Sequence, residues 1–131
     1  MPIQHDPKPG DLLRCDYTFK ACPTEPEMVK VRPVIVVAVK TEKLCIVVPI
    51  STVEPLPLRN FHNEMDTTNF PQHLRKRCWA KCDMISTVAH FRLDRYFKAD
   101  QYGKRKHVNF RVSDDDLTKV RQCLRNVFGF A

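Results

Sequence analysis

The chain has 131 residues, with 22 Lys and Arg against 15 Asp and Glu, a formal net charge of +7. That length allows one domain with one real core, residues 1–131. No run approaches the ~20 apolar residues of a membrane span, and three glycines leave no material for a Gly-rich phosphate loop. The positive balance attracts polyanions, which fits a nucleic-acid or acidic-protein partner as well as a merely soluble basic surface.

In chain order, residues 1–9 read as an extended arm, and Gly10-Asp11 turns into a short strand over 12–17. Residues 18–29 form a loop carrying Pro23, Pro26, Glu25 and Glu27. The run Pro33-Val34-Ile35-Val36-Val37-Ala38-Val39 is β-branched and uninterrupted, which suits a strand buried on both faces. Residues 40–43 turn the chain, and 44–48 return as its hairpin partner. Pro49, Pro55, Pro57 and Pro71 then keep 49–76 out of central strands, with a short strand around 62–65. Residues 79–86 and 107–112 alternate as strands, while 87–103 reads equally as a short helix or a turn-rich link. Ser113 followed by Asp114, Asp115 and Asp116 starts a helix; Leu117, Val120, Leu124 and Val127 share one face, and Gly129 stops it. The expected architecture is mainly β with a C-terminal helix, a small curved barrel.

Six cysteines invite a disulfide reading. No apolar stretch follows Met1, so no export signal is expected, the thiols stay reduced and the protein is cytoplasmic. Cys15 and Cys45 lie in apolar patterns, where cysteine acts as a small hydrophobe. Cys78-x-x-x-Cys82 with Cys15, Cys22, His62 and His73 offers no pair of tight Cys-x-x-Cys motifs, so neither a metal nor another cofactor is expected.

The chemistry concentrates around the central hairpin. Glu27-Met28-Val29-Lys30-Val31-Arg32-Pro33 places a carboxylate and a guanidinium before the buried strand. Arg32 at a rigid strand end suits a phosphate, and Glu27 is near enough to orient it or act as a base; a simple loop ion pair is the alternative. Counting outward from the turn at 40–43 brings Ser51 and Thr52 beside Arg32, where the hydroxyls serve either phosphoryl transfer or only a turn. Arg75, Lys76, Arg77, Arg92, Arg95, Lys104, Arg105 and Lys106 are interleaved with Phe91, Tyr96, Phe97 and Tyr102, a mixture that suits single-stranded RNA. Trp79 reads as a core or rim anchor.

Four stretches in order resemble the PemK/MazF-type toxins of bacterial type II toxin–antitoxin systems. They are Gly10-Asp11-Leu12 with Asp16-Tyr17; Lys30-Val31-Arg32-Pro33 and the valines after it; Val48-Pro49-Ile50-Ser51-Thr52; and Cys82-Asp83-Met84-Ile85-Ser86-Thr87 with Arg92-Leu93. The resemblance implies an SH3-like PemK/MazF barrel, usually a homodimer, that arrests growth by cleaving single-stranded RNA and is held in check by an antitoxin. It puts the family's arginine on Arg32, its threonine on Ser51 with Thr52 adjacent, and its loop glutamate on Glu27. The RNA-contacting set is then Lys30, Arg75, Lys76, Arg77, Asp83, Thr87, Arg92 and Arg95. Val31 stands where some relatives have histidine and Met84 where many have glutamine, departures that bear on base recognition. A non-enzymatic toxin on the same barrel, such as a topoisomerase or gyrase inhibitor, and a catalytically decayed RNA-binding module are the alternatives. RNA carries its own nucleophile in the 2′-OH, so cleavage without a metal to a 2′,3′-cyclic phosphate and a 5′-OH is the expected chemistry.

Overall fold

A computed structural model describes residues 6–18 and 31–129. Among these described residues, besides three short 3-10 turns, ten strands and one α-helix follow in the order β1 (Asp11–Asp16), β2 (Val31–Val39), β3 (Leu44–Ser51), β4 (His62–Glu64), β5 (Trp79–Lys81), β6 (Ser86–Ala89), β7 (Leu93–Asp94), β8 (Tyr96–Ala99), β9 (Arg105–Val108), β10 (Phe110–Arg111) and α1 (Asp114–Phe128). Eight strands make one curled sheet in the order β10-β1-β2-β3-β5-β4, with β6 also on β3 and β7 also on β1; β8 and β9 form a separate hairpin.

The sheet is built around β2, whose Val34, Ile35, Val36 and Val37 are all buried. Side chains alternate across a strand, so a strand with no polar side must be covered twice. One face joins Leu12, Ile35, Val48 and Ile50 to Leu117, Val120 and Cys123 of α1. The other joins Leu13, Cys15 and Tyr17 to Val34, Val36, Val47, Val88 and Leu93.

Two expected strands prove shorter. Over 79–86 the chain leaves β3 after Lys81, makes a 3-10 turn at Cys82–Met84, and rejoins β3 as β6. Over 107–112 the strand is interrupted at Asn109, because β9 pairs with β8 while β10 pairs with β1. The ambiguous 87–103 stretch supplies part of β6, all of β7 and β8, and the turn beyond.

At the entrance to β1, Gly10 has φ +96°, a region open mainly to glycine. Its N–H donates to Val36 O at 2.7 Å and its carbonyl accepts from Val112 N at 2.9 Å. A Cβ there would meet Arg111 Nη2 at 2.8 Å, and that guanidinium is already held by Asp11 at 2.6 Å and Pro9 O at 2.8 Å.

Helix α1 starts as the sequence indicates: Ser113 Oγ accepts from Asp116 N at 3.1 Å, and Gly129 closes it at φ 75° with its N–H donating to Arg125 O. The buried Asp116 carboxylate does not turn back to the cap. It accepts from Asp66 N at 2.7 Å, fastening the Pro-rich excursion to the helix. Ser113→Ala should therefore cost about 1 kcal/mol of stability. Asp116→Ala should cost more, about 1–3 kcal/mol, because it strands the Asp66 amide. Urea unfolding of the two variants checks the order.

Candidate functional site

The β2–β3 hairpin pairs Val39 with Cys45 and Ala38 with Ile46, then shifts by one residue so that Val36 pairs with Val47 and Val34 with Pro49. A simple count from the turn would set Thr52 opposite Arg32. The bulge at Val37 moves the register by one, and carried two residues past Val34–Pro49 it sets Ser51 there instead. On the other edge Arg32 pairs with Cys15, Cys15 with Leu93, Ser51 with Trp79, and Trp79 with Glu64. Leu93, Cys15 and Arg32 thus form one paired row and Ser51, Trp79 and Glu64 another, and the β2–β3 register, carried past its last pair Val34–Pro49, aligns the two on one face.

Arg32 is half-buried, and its Nε is buried without a hydrogen-bond partner among the described residues. An unpaired buried N–H costs on the order of 1–3 kcal/mol, so this guanidinium is poised for an acceptor. Arg92 lies at the same end of β1, close enough to bias the Cys15 thiol and the Asp16 carboxylate electrostatically. Asp16 itself is held by the backbone N–H and the hydroxyl of Thr18, which lower its pKa.

The Ser51 hydroxyl accepts from Val53 N and donates to Val53 O, both at 3.0 Å. It closes a turn at the end of β3, at the register position that faces Arg32; Thr52 follows, exposed. Arg77 is the other residue brought to this row. Its guanidinium makes two 2.9 Å bonds to Glu64, lies 3.5 Å from Glu54, and stacks 4.9 Å from the Trp79 ring centroid. Two carboxylates neutralise it, so at this site Arg77 offers a flat exposed face over Trp79 more than a free charge. The sequence pointed to Arg77 but missed Glu54 and Glu64, which only strand pairing brings to it.

The remaining sequence-based candidates scatter. Glu27 and Lys30 lie outside the described residues. Thr87 pairs with Ile46, five positions back along β3 from Ser51, about 17 Å at strand spacing. Asp83 lies beyond β5 and faces His62 Nε2 at 3.7 Å, while His62 Nδ1 accepts from Arg59 N at 3.0 Å. Burial pushes the His62 pKa down against the pull of Asp83. Arg75 donates from Nε to Phe70 O at 2.8 Å and, with Arg95 beside His107 at 3.3 Å, belongs to the β8–β9 side. Lys76 is exposed between the two groups.

Cys15 is itself paired with Arg32, but burial pushes its thiol up to about 11, and that of Cys45 likewise to about 11. Both stay protonated near neutrality and cannot act as nucleophiles. The five described cysteines are buried free thiols; Cys22 is outside the described residues. Among the described residues no three His, Cys, Asp or Glu side chains gather in a metal-binding cluster.

A curled sheet closed by a C-terminal helix, with a half-buried guanidinium at a strand end, defines a small toxin-type barrel. The chain belongs to the family of PemK-like, MazF-like toxins of type II toxin–antitoxin systems, whose model matches residues 8–128. It is 33% identical over 134 residues to an uncharacterized protein of Haemophilus influenzae, covering 92% of this chain and 89% of that one. Its fold matches an endoribonuclease from mycobacterial species (TM-score 0.63, 15% identity, 96% of this chain and 94% of that one). It also matches MazF of Deinococcus radiodurans (TM-score 0.63, 17% identity, 97% and 100%). A chain of the MazE–MazF crystal structure from Deinococcus radiodurans aligns at TM-score 0.54 with 15% identity, covering 98% of this chain and 100% of that one.

Two outcomes follow from the local chemistry. The raised Cys15 and Cys45 pKa values mean that unfolded thiols ionise first, near 9, and folded ones near 11. Their contribution to stability is therefore complete below pH 9 and is lost between about 9 and 11. The melting temperature should fall across that window, and less steeply in Cys15→Ala. Trp79 is the single tryptophan; Arg77→Ala uncovers it, so its emission should shift to longer wavelength in the folded protein.

Proposed function

We propose that this toxin-family chain is an endoribonuclease that cuts single-stranded RNA by attack of the substrate's own 2′-OH. The observation that carries the reading is the half-buried Arg32 guanidinium, with its unpaired Nε, across from the fixed Ser51 hydroxyl. An endoribonuclease from mycobacterial species shares the fold. The 2′-oxygen bonds to phosphorus, the bond to the 5′-oxygen breaks, and the proton taken from the 2′-OH is matched by one given to the leaving 5′-oxygen. The products are a 2′,3′-cyclic phosphate and a 5′-OH. No metal is required for this chemistry, since the nucleophile comes with the substrate.

Arg32 stabilises the doubly charged equatorial oxygens of the phosphorane. It is no base, because a guanidinium does not deprotonate; Glu27 is the proposed base or base-orienter. Ser51 and Thr52 hold a phosphate oxygen or assist the leaving group. Arg92 adds charge at the same strand end, Lys76 and Arg77 flank the path, and Lys30 is a further proposed RNA contact. Asp83 and Thr87 contact bases farther along, and Arg75 and Arg95 hold the strand on the hairpin side.

By likeness to the MazE–MazF form, the partner that restrains the activity is an antitoxin protein. The working unit is a homodimer in the cytoplasm. A groove of about 610 Å³ lined by Leu44, Ala89, His90 and Phe91 is a candidate contact surface for it. Among the described residues no helix is long and apolar enough to cross a membrane.

Purified protein incubated with RNA in excess chelator should cleave it. Arg32→Ala should lower the rate by about 100- to 1000-fold, the cost of one lost charge-stabilising donor. A single deoxyribose at the cut position should abolish cutting there. Persistent cleavage of the deoxy-substituted strand would overturn the mechanism, and equal inactivity of wild type and variant would favour a non-enzymatic toxin.

A further inference from the structure

We propose that the β8–β9 hairpin and the groove at its root form a second site that grips the phosphate backbone of single-stranded RNA. The site is separate from the Arg32 row, and its choice of RNA rests on the reading above. The hairpin roots on the helix side of the sheet: Tyr96 packs edge-on against Phe110 at 6.3 Å, and Phe110 pairs with Leu12 of the helix-side core. Arg32 shares the opposite face with Cys15 and Val34.

Charge is concentrated here. Residues 95–107 hold Arg95, Lys98, Lys104, Arg105 and Lys106 against one carboxylate, Asp100, so this short segment supplies +4 of the chain's +7. Asp100 is spent on the turn, accepting from Tyr102 N and Lys104 N at 2.8 Å each. Lys98 stands directly across from Lys106, an arrangement that destabilises a hairpin by like-charge repulsion. Neither lysine has an ion-pair partner among the described residues, so an anion laid across both would relieve the strain.

The chemistry of the hairpin's two faces selects a nucleic-acid strand. On the face opposite Lys98 and Lys106, Arg105 stacks on Phe97 at 4.4 Å, so a strand that uses both crosses the hairpin edge. At the root opens a groove of about 490 Å³, lined by His73, Arg75, Phe97 and Lys98 among others, a size that takes a nucleotide unit. Alternating rings and cations hold single strands by stacking and by phosphate pairing. An acidic polypeptide has no planar bases to use the rings.

The test is binding of a fluorescent single strand of about 12 nucleotides, a length that spans such sites, with 2′-O-methyl ribose throughout so that 2′-OH attack is impossible. Anisotropy is read over a range of salt. Lys98→Ser combined with Lys106→Ser should weaken binding at least tenfold. It should also reduce the slope of log K against log salt by about 1.4, two contacts at about 0.7 each. Lys106→Glu, which pairs across the strands with Lys98 and so preserves the hairpin, should weaken binding further without lowering the melting temperature. Arg32→Ala should leave the slope within one contact of wild type. Unchanged affinity and slope in both lysine variants would overturn the proposal. So would displacement of the strand by polyglutamate as effectively as by unlabelled strand, which would assign the surface to an acidic protein. Wild type that binds through these lysines but cleaves no RNA would sink the nuclease reading alone; cleavage with unaltered binding in the variants would sink this site alone.

Discussion

The structure depends on β2 having no side that tolerates water. Val34 to Val37 are buried in succession, and each face of the strand acquires its own core. Burying a valine side chain contributes about 1.5–3 kcal/mol. A run of such residues therefore fixes the strand at the middle of the sheet and compels β1 and β3 to flank it. With both neighbours in place, the polar ends of β2 have nowhere to go but the rim. Arg32 lies there because the same strand that is apolar at its centre ends in a guanidinium.

The bulge at Val37 decides what Arg32 meets. One extra residue on β2 exchanges the two faces of β3 between the turn and the rim. Without it Thr52 would stand opposite Arg32, and the Val34 row would contain Ile50 in place of Pro49. With it, the row carries Ser51 and then Trp79 on the next strand. Ser51 is locked by both of its bonds to Val53, so the alcohol is held in place before any substrate arrives, and that lowers the ordering cost of using it.

The cations divide into groups with different electrostatic character. At the row, Arg77 is neutralised by Glu64 and Glu54 and lies flat on Trp79, while Arg32 keeps a buried N–H unpaired. On the hairpin, Lys98 and Lys106 face each other, and among the described residues neither has an ion-pair partner. A single basic patch would attract a polyanion without directing it. This division separates a rim where an exact geometry is kept from an arm where only charge density is kept.

Much of this was legible in the chain itself. The unbroken valine run announced a doubly covered strand, the prolines of 49–76 excluded central strands there, and Ser113 with its three aspartates and Gly129 marked the helix, because these signals are local: periodicity, missing donors, a capping side chain. Hairpin counting also pointed to a hydroxyl near Arg32. What counting could not supply was the choice between Ser51 and Thr52, since a one-residue bulge leaves no mark in a run of similar valines. Nor could it bring Glu64 and Glu54 to Arg77, direct Asp116 to Asp66 over 50 residues, or part Arg75 from Arg77 two positions away. Those outcomes depend on which strands become neighbours, a matter settled by burial of both faces of β2 and by nothing adjacent in sequence.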